Sequence, residues 1–540
     1  VQVCSFRFIL SDTLPLIIQD FIGTPTSHKG GHTQMTSSLL NEYQHLGLYL
    51  GDLHNHCNMS YGQGSLADAI QNARLQLDFA SVTMHAVWPD MPLDDPKLGY
   101  LVDYHKKGFA RAFENWPSYL KAIEEYNEDG RFVTFPSYEW HSIEYGDYCM
   151  YFKNGGDVPI LSSRDLSKLR EDASQLSTPV FLIPHHIGYK QGSRGINWKA
   201  FSNQLSPVAE IFSFHGLSES SEGAYPYLHS MGPRHEHGTA QYGWEQGNIF
   251  GIVGSTDHHN AFPGSYGVGR LGVWADSLTR DSIWDAISRR RTYALTGDRI
   301  EVEFSANGHL MGDICPPDTE RWIEVAVRGG SSIDYIEILH NNRVVHRESI
   351  FPRSAERGLF KVHLELGWGE EAQDTAWDVD LQVVGGNLRQ VEPRFRGHSP
   401  TTAPRDADFA YINWRQVKSD HVRFHTLTRQ NPLSHTSNTE GMSLEIEGDG
   451  NTTLLATING RKYEQPLSEL MSGTRTFYLG GFVSPALCFH QAVPQSEYAH
   501  RFAFLHRAET HQRDWYYVRV RQRNDQWAWS SPIWFEKQGG

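Results

Sequence analysis

The sequence predicts an α/β domain followed by a β-rich region, on three observations. From about residue 46 to 299, short apolar runs alternate with helical or loop segments, the pattern of buried strands and their connections. After Arg299 the texture changes to period-two alternation with Gly, Asn and Asp turns, and no clear helix precedes Pro466–Met471. Every apolar run of the first part leads into a histidine or a carboxylate. A chain of 540 residues suits two to four domains at roughly 150 residues each.

Residues 1–45 read as an N-terminal extension, with a Gly/Ser/Thr/His-rich stretch at Thr24–Ser38. The apolar runs are Leu46–Leu53, Leu77–Thr83, Phe132–Pro136, Val180–Pro184, Val208–Phe214 and Ile249–Thr256. Their shortness and two-sided apolar character predict buried parallel strands. In Ser65–Leu75, Leu66, Ala69, Ile70 and Ala73 fall at helical spacing, with Ser65 as N-cap and Asp68 at the capping-box position. Trp116–Tyr126 and Asp281–Arg290 also read as helices. Strand, helix and strand in succession predict, most simply, a barrel. Beyond Arg299, the runs Ile300–Ser305, Trp322–Val327, Ile333–Ile338, Trp377–Val384 and Tyr516–Val520 predict a β-sandwich or two smaller β units, with a long loop at Ser399–Ala407.

Composition excludes several function classes. The 48 basic and 63 acidic residues give a net charge of -15, which argues against nucleic acid and anionic membrane as partners. A mean hydropathy of -0.49, without a long apolar run, predicts no membrane-spanning helix. Five cysteines without a CxxC make neither a disulfide framework nor a thiolate zinc site. The chain starts at Val1 rather than Met, and Phe6–Phe21 lacks a good cleavage pattern. A reducing cytoplasm is the expected compartment.

The chemistry lies in the histidines, 28 in all, of which 13 fall between His54 and His259. The first run ends in Asp52-Leu53-His54-Asn55-His56 and the second in Met84-His85. The third leads to Glu139-Trp140-His141, and the fourth to His185-His186. The fifth ends in His215 and the sixth in Asp257-His258-His259. In α/β barrels the C-terminal rim of the strands is where ligands bind. Residues i and i+2 of an extended segment point the same way, so His54 with His56, and Asp257 with His259, can each serve one ion. Imidazole with carboxylate suits Zn, Mn or Fe. Two such ions roughly 3.5–4 Å apart can share a bridging carboxylate or hydroxide.

Each histidine alone has a plainer reading. A lone His85 or His141 reads as a hydrogen-bonded structural group. His105, His229, His235 and His237 lack the strand-end context and read as surface or loop residues, and Arg234–Gly238 (RHEHG) is a weak chelation motif. Six strand ends in agreement make the signal.

The ordered set GDLHNHC, LDFASVTMHA, a Glu after a strand, LIPHH and GSTDHHN resembles the PHP superfamily of metal-dependent hydrolases. The resemblance covers about residues 46–299. Arg289–Ile300 (RRRTYALTGDRI) and Tyr516–Phe535 further resemble a PHP-like branch that includes carbaryl hydrolase and an uncharacterised family with a long β-rich C-terminal region. It implies a distorted seven-stranded barrel over 46–299, with 300–540 as the β-rich region. It also implies two or three divalent transition-metal ions, with His54, His56, His85, Glu139, His185, Asp257 and His259 as ligands and Glu139 as a potential bridge. His186 is next in line as a ligand or proton donor. The sequence departs from the family where Met84 replaces the usual acid and where Ser60–Ser65 offers no His, Asp or Glu. His141 or His215 are the candidates to compensate.

Gly188–Trp198 follows the fourth run, and its Lys190 and Arg194 are candidates to bind an anionic substrate. Trp88 and Trp140 either wall the pocket or pack the rim, and Arg270 is a further candidate. The expected function is a metal-dependent hydrolase using a metal-bridged hydroxide on a small ester, a phosphoester first. The alternatives are a carboxylester, carbamate or amide hydrolase, and a non-catalytic metal-stabilised binding protein.

Overall fold

Buried apolar runs set the strands of the first part, and the spaces between them set its helices. The computed structural model describes residues 40–369, 373–402, 407–429 and 437–537. Thr24–Ser38 and Phe6–Phe21 lie outside the described residues. In chain order the first part comprises β1 (Gly47–Asp52), α1 (Leu66–Ala73), β2 (Phe79–Ala80), β3 (Met84–Val87), α2 (Gly99–Tyr126), β4 (Val133–Thr134) and β5 (Ser137–Trp140). Then come β6 (Tyr148–Phe152), α3 (Leu166–Ser174), β7 (Val180–Pro184), β8 (Val208–Ser213), β9 (Gly216–Leu217), α4 (Ala240–Glu245), β10 (Gly251–Gly254), β11 (Arg270–Ala275), α5 (Arg280–Ser288) and β12 (Thr292–Leu295).

Helix α1 has the expected capping box. Ser65 Oγ accepts from Asp68 N at 3.1 Å, and Asp68 Oδ2 accepts from Ser65 N at 2.8 Å. Helix α2 begins well before the expected Trp116. Its buried face runs through Val102, His105, Gly108 and Ala112 to Trp116, Tyr119, Leu120 and Ile123. A histidine and a glycine on that face hide the apolar periodicity of its first half. His105, expected on the surface, is buried there beside Trp88.

The fold is mixed α/β, and pairing is not parallel throughout. β1, β2 and β4 pair in parallel, as do β3 with β5 and β8 with β10. β11 runs antiparallel to β1 and β12, and β6 runs antiparallel to both β5 and β7. Every pairing between two of the apolar runs is parallel, as expected, and the antiparallel strands β6, β11 and β12 lie outside those runs.

The β-rich part contributes strands to several sheets, two of which pack face to face. Strands Arg357–Trp368, Asn387–Arg394, Glu440–Asp449, Pro485–Phe489 and Arg475–Tyr478 form one sheet, joined at its flank by Val493–Pro494. Strands Thr375–Val384, Asn413–Lys418, His421–Thr428, Thr453–Ile458 and Arg461–Pro466 form another. Phe360, Val362, Leu364, Trp377, Val379 and Leu444 from the two sheets share one apolar core. The expected helix near Pro466 is present at Leu467–Ser472.

The last strands return to the first part. Trp527–Ser530 pairs with β12 through Tyr293↔Ser530, Ala294↔Trp529 and Leu295↔Ala528. One sheet thus runs from β4 through β1 and β12 into the C-terminal strands, across the expected boundary at 299/300. Tyr43, expected within the N-terminal extension, is buried and donates to Phe304 O at 2.9 Å. Among the described residues no helix is long and apolar enough to cross a membrane.

Candidate metal centre

The ends of β1, β5, β7 and β10, with β3, deliver buried side chains to one cluster. His54 and His56 follow β1 at alternate positions, and their Nε2 atoms stand 3.1 Å apart. Asp257, after β10, brings Oδ1 to 3.0 Å from His56 Nε2 and 3.4 Å from His54 Nε2. Glu139 on β5 sits at the centre. Its Oε2 is 2.6 Å from His85 Nδ1, 3.8 Å from His54 Nε2 and 3.7 Å from His56 Nε2. Its Oε1 is 2.7 Å from His185 Nε2 and 3.1 Å from His141 Nδ1. His259 Nε2 lies 3.2 Å from His85 Nε2.

These approaches are close, yet several are not hydrogen bonds. Glu139 Oε2, His85 Nδ1, His185 Nε2 and His141 Nε2 are buried without a hydrogen-bond partner. Buried polar atoms are rarely left so, and each costs about 1–3 kcal/mol. Lone pairs converging without donor alignment fit a shared cation. The donor set of imidazoles and carboxylates, with sets such as His54–His56–Glu139 and His56–His85–His259 within 4.8 Å of one another, can hold metal ions.

Electrostatics agree for most of the set, although at His54 burial is outweighed by the nearby Asp257, which raises it well above its ordinary value. Burial alone would raise Glu139, but the neighbouring His141, His85 and His185 hold its carboxyl well below the usual range. Burial would also raise Asp257, and His54, His215 and His56 hold it low instead. Burial, together with His186 and His54, pushes His185 well down. Burial with His56 does the same to His85. His259 and His215 are each lowered by burial to about 3. Neutral imidazole is the ligand form.

The surrounding residues fix ring orientation. Glu210 Oε2 lies 3.0 Å from His54 Nδ1, and the Thr83 carbonyl lies 2.7 Å from His56 Nδ1. Ser60 Oγ accepts from the His85 backbone N–H at 3.1 Å, so the Ser60–Ser65 segment contributes a support rather than a ligand. The β-rich part also reaches the site. His259 N donates to Pro400 O at 2.8 Å, and Asn260 Nδ2 donates to Ser399 O at 2.5 Å.

His141 and His215 both join the cluster, His215 through Nε2 at 3.1 Å from Asp257 Oδ2. His186 stands alongside, its Nε2 3.3 Å from Asp147 Oδ2. Arg194 pairs with Asp147, lies 2.7 Å from His141 Nδ1 and crosses the Trp88 ring at 5.0 Å. His186, Arg194 and Asp257 have φ of 31°, 66° and 52°. Such non-glycine left-handed residues are uncommon and collect at functional sites.

Other expectations separate from the site. Lys190 is exposed on its loop. Trp140 is buried in packing, its indole N–H donating to Ser163 O at 3.0 Å. Arg270 is buried and donates to the carbonyls of Gly264 and Gly297 at 2.8 and 3.0 Å, a structural role. Met84 is buried in the core. His235 and His237 lie off the cluster, in a short helical turn where His235 caps His237 N. Sequence reasoning missed Glu210, Asp147 and Tyr61, whose ring stacks on His85 at 3.6 Å. The signal for Glu210 was a lone acid inside the apolar run VAEIFSF.

Comparisons with known proteins add context. A family described as a protein of unknown function (DUF3604) matches residues 264–333. An uncharacterized protein of Chlamydia trachomatis is 26% identical over 252 residues, which is 42% of this chain and 40% of the relative. One from Chlamydia muridarum is 26% identical over 256 residues, 43% of this chain and 41% of the relative. The chain therefore spans about two-fifths of the length of these curated relatives. A solved two-domain protein of Bacteroides vulgatus, containing a predicted PHP-like metal-dependent phosphoesterase, superposes with a TM-score of 0.33 at 13% identity. That match covers 55% of this chain and 80% of the other. At this degree of likeness the superposition carries no argument about the chain.

Proposed function

We propose that the chain is a PHP-type metal-dependent hydrolase acting on a small phosphoester. In this reading residues 46–299 form a distorted barrel, and a sandwich-like β region follows. The observation that supports it most is Glu139. This buried carboxylate stands 2.6 and 2.7 Å from His85 Nδ1 and His185 Nε2, while neither its Oε2 nor those nitrogens has a hydrogen-bond partner. That arrangement suits a bridge between cations.

His54, His56, Asp257, His85, His185 and His259 would complete the ligand set, with His141 and His215 supplementing it. Two or three Zn, Mn or Fe ions match this donor chemistry. When bound, such ions polarise a phosphoryl oxygen and bring the pKa of water toward neutrality. The chain's residues position everything else. Glu210 and the Thr83 carbonyl fix the His54 and His56 rings. His186, beside Asp147, would give a proton to the leaving oxygen. Tyr61 and Trp88 limit water on the α2 side. Arg194, with Lys190 farther out on the same loop, would receive an anionic group.

A second reading, hydrolysis of a carboxylester, carbamate or amide as in the carbaryl hydrolase branch, is favoured by one observation. Arg194 is already neutralised by Asp147, in a wall that includes Trp88. Aryl phosphate, phosphodiester, aryl ester and aryl carbamate substrates, each with an EDTA control, decide between the two. Metal-dependent turnover of the phosphates supports the first reading. Turnover of the neutral substrates alone sinks it.

A further inference from the structure

A polar cavity is lined by none of the proposed metal ligands. It has a volume of about 240 Å³ and opens between the strand Arg357–Trp368 and the turn around Asn524 and Gln526. At about 30 Å³ per water molecule, it has room for a phosphate-sized group with its hydration. Strand alternation builds one wall. Phe360, Val362, Leu364 and Leu366 enter the two-sheet core, while Lys361, His363 and Glu365 line the cavity. Arg394 and Arg396 line it as well, and His490 faces Glu365.

The cations here have unused donors. Lys361 is 6% exposed and its ammonium donates to Gly329 O at 2.8 Å, which uses one of three N–H groups. The Arg394 side chain is 4% exposed. Its Nη2 serves Asp298 and the Gly330 carbonyl, each at 2.9 Å, while its Nε is buried without a partner. Arg396 uses Nε and Nη1 on the carbonyls of Thr439 and Tyr266. Acids stand close to these cations: Asp298 pairs with Arg394, and Glu392 Oε2 is buried without a partner. Glu365 Oε2 meets His490 Nε2 at 2.7 Å, and Glu445 Oε1 accepts from Tyr498 O–H at 2.7 Å and from Arg328. Glu392 Oε1 accepts from Arg299 N at 2.7 Å. Two guanidinium groups and an ammonium with spare N–H groups in a desolvated cavity are the chemistry that recognises a phosphate.

We propose that the cavity lined by Lys361, Arg394, Arg396 and His490 is a binding site for inorganic phosphate or a phosphate monoester, separate from the metal centre. The proposal does not depend on the hydrolase reading.

The test is calorimetric titration of the full chain with inorganic phosphate, with phosphoserine as the monoester arm and chloride as control. Because the metal centre can also bind phosphate, the titration is repeated in His54→Ala. One phosphate site should persist in His54→Ala and weaken at least tenfold in Lys361→Gln. His490→Ala, at a half-exposed position that tolerates truncation, should weaken it by a smaller factor. Preference between phosphate and phosphoserine identifies the free ion or the ester as the ligand. Loss of all phosphate binding in His54→Ala would overturn the proposal, as would unchanged binding in both Lys361→Gln and His490→Ala.

Discussion

Glu210 offers the sharpest single perturbation of the site. Its carboxylate is 3% exposed, Oε2 lies 3.0 Å from His54 Nδ1, and Oε1 has no hydrogen-bond partner. Burial raises its pKa, so the charged form is held there at a cost. The strand around it, VAEIFS, is otherwise buried and apolar or small. Such a carboxylate behind a histidine fixes the ring and raises its basicity toward a metal, and its removal costs 10–100-fold in affinity. Glu210→Gln keeps the shape and removes the charge, so the lower end applies: about tenfold, or about 1.4 kcal/mol. The metal-free variant should unfold at the same temperature as wild type or a higher one, because the cost of burying the charge is gone. Competition with a chromophoric chelator gives the affinity, and thermal melts of the metal-free proteins give the stability. Wild-type affinity in Glu210→Gln would refute the positioning role. A falling Tm with unchanged affinity would make Glu210 a purely structural residue.

Three further outcomes follow from named contacts. Arg194→Ala should lower kcat/KM on a phosphoester by more than roughly tenfold while sparing a neutral aryl ester; equal losses on both would assign Arg194 to orienting Asp147 and His141. A chain ending at Arg299 should fail to fold. It loses the strand that pairs with β12, including buried Trp527 and Trp529, each about 4–6 kcal/mol of apolar burial; a soluble, cooperatively melting fragment would contradict this. Burial lowers His490, but bonds to Cys488 and Glu365 outweigh it and raise its pKa from 6.5 to about 9. Its share of stability is complete below pH 6.5 and is lost as the pH rises to about 9. Glu365, at about 2, loses its share only as the pH falls below its usual 4.5. The Tm gap between wild type and His490→Gln should therefore close between pH 6.5 and 9, and a constant gap would rule the ion pair out.

Much of the candidate site was legible because its histidines and acids stand at the ends of apolar runs. His54, His56, His85, Glu139, His185, Asp257 and His259 all meet in the structure. What escaped were residues whose role arises from three-dimensional neighbours. His105 looked like a surface residue because α2 buries it on a face broken by Gly108. Asp147 precedes β6, which the pattern did not separate from the loop after His141. Strands β6, β11 and β12, which run antiparallel to their neighbours, escaped because none of them was among the named apolar runs. The closure of the C-terminal strands onto β12 joins residues more than 230 apart, beyond the reach of local periodicity.

Metal content tests the central claim most directly. The purified full chain, stripped with chelator and reconstituted with Zn, Mn or Fe, should carry at least two equivalents by elemental analysis. His54→Ala should lose at least one of them while its β region still melts cooperatively. Less than one equivalent in the reconstituted wild-type protein would contradict the account.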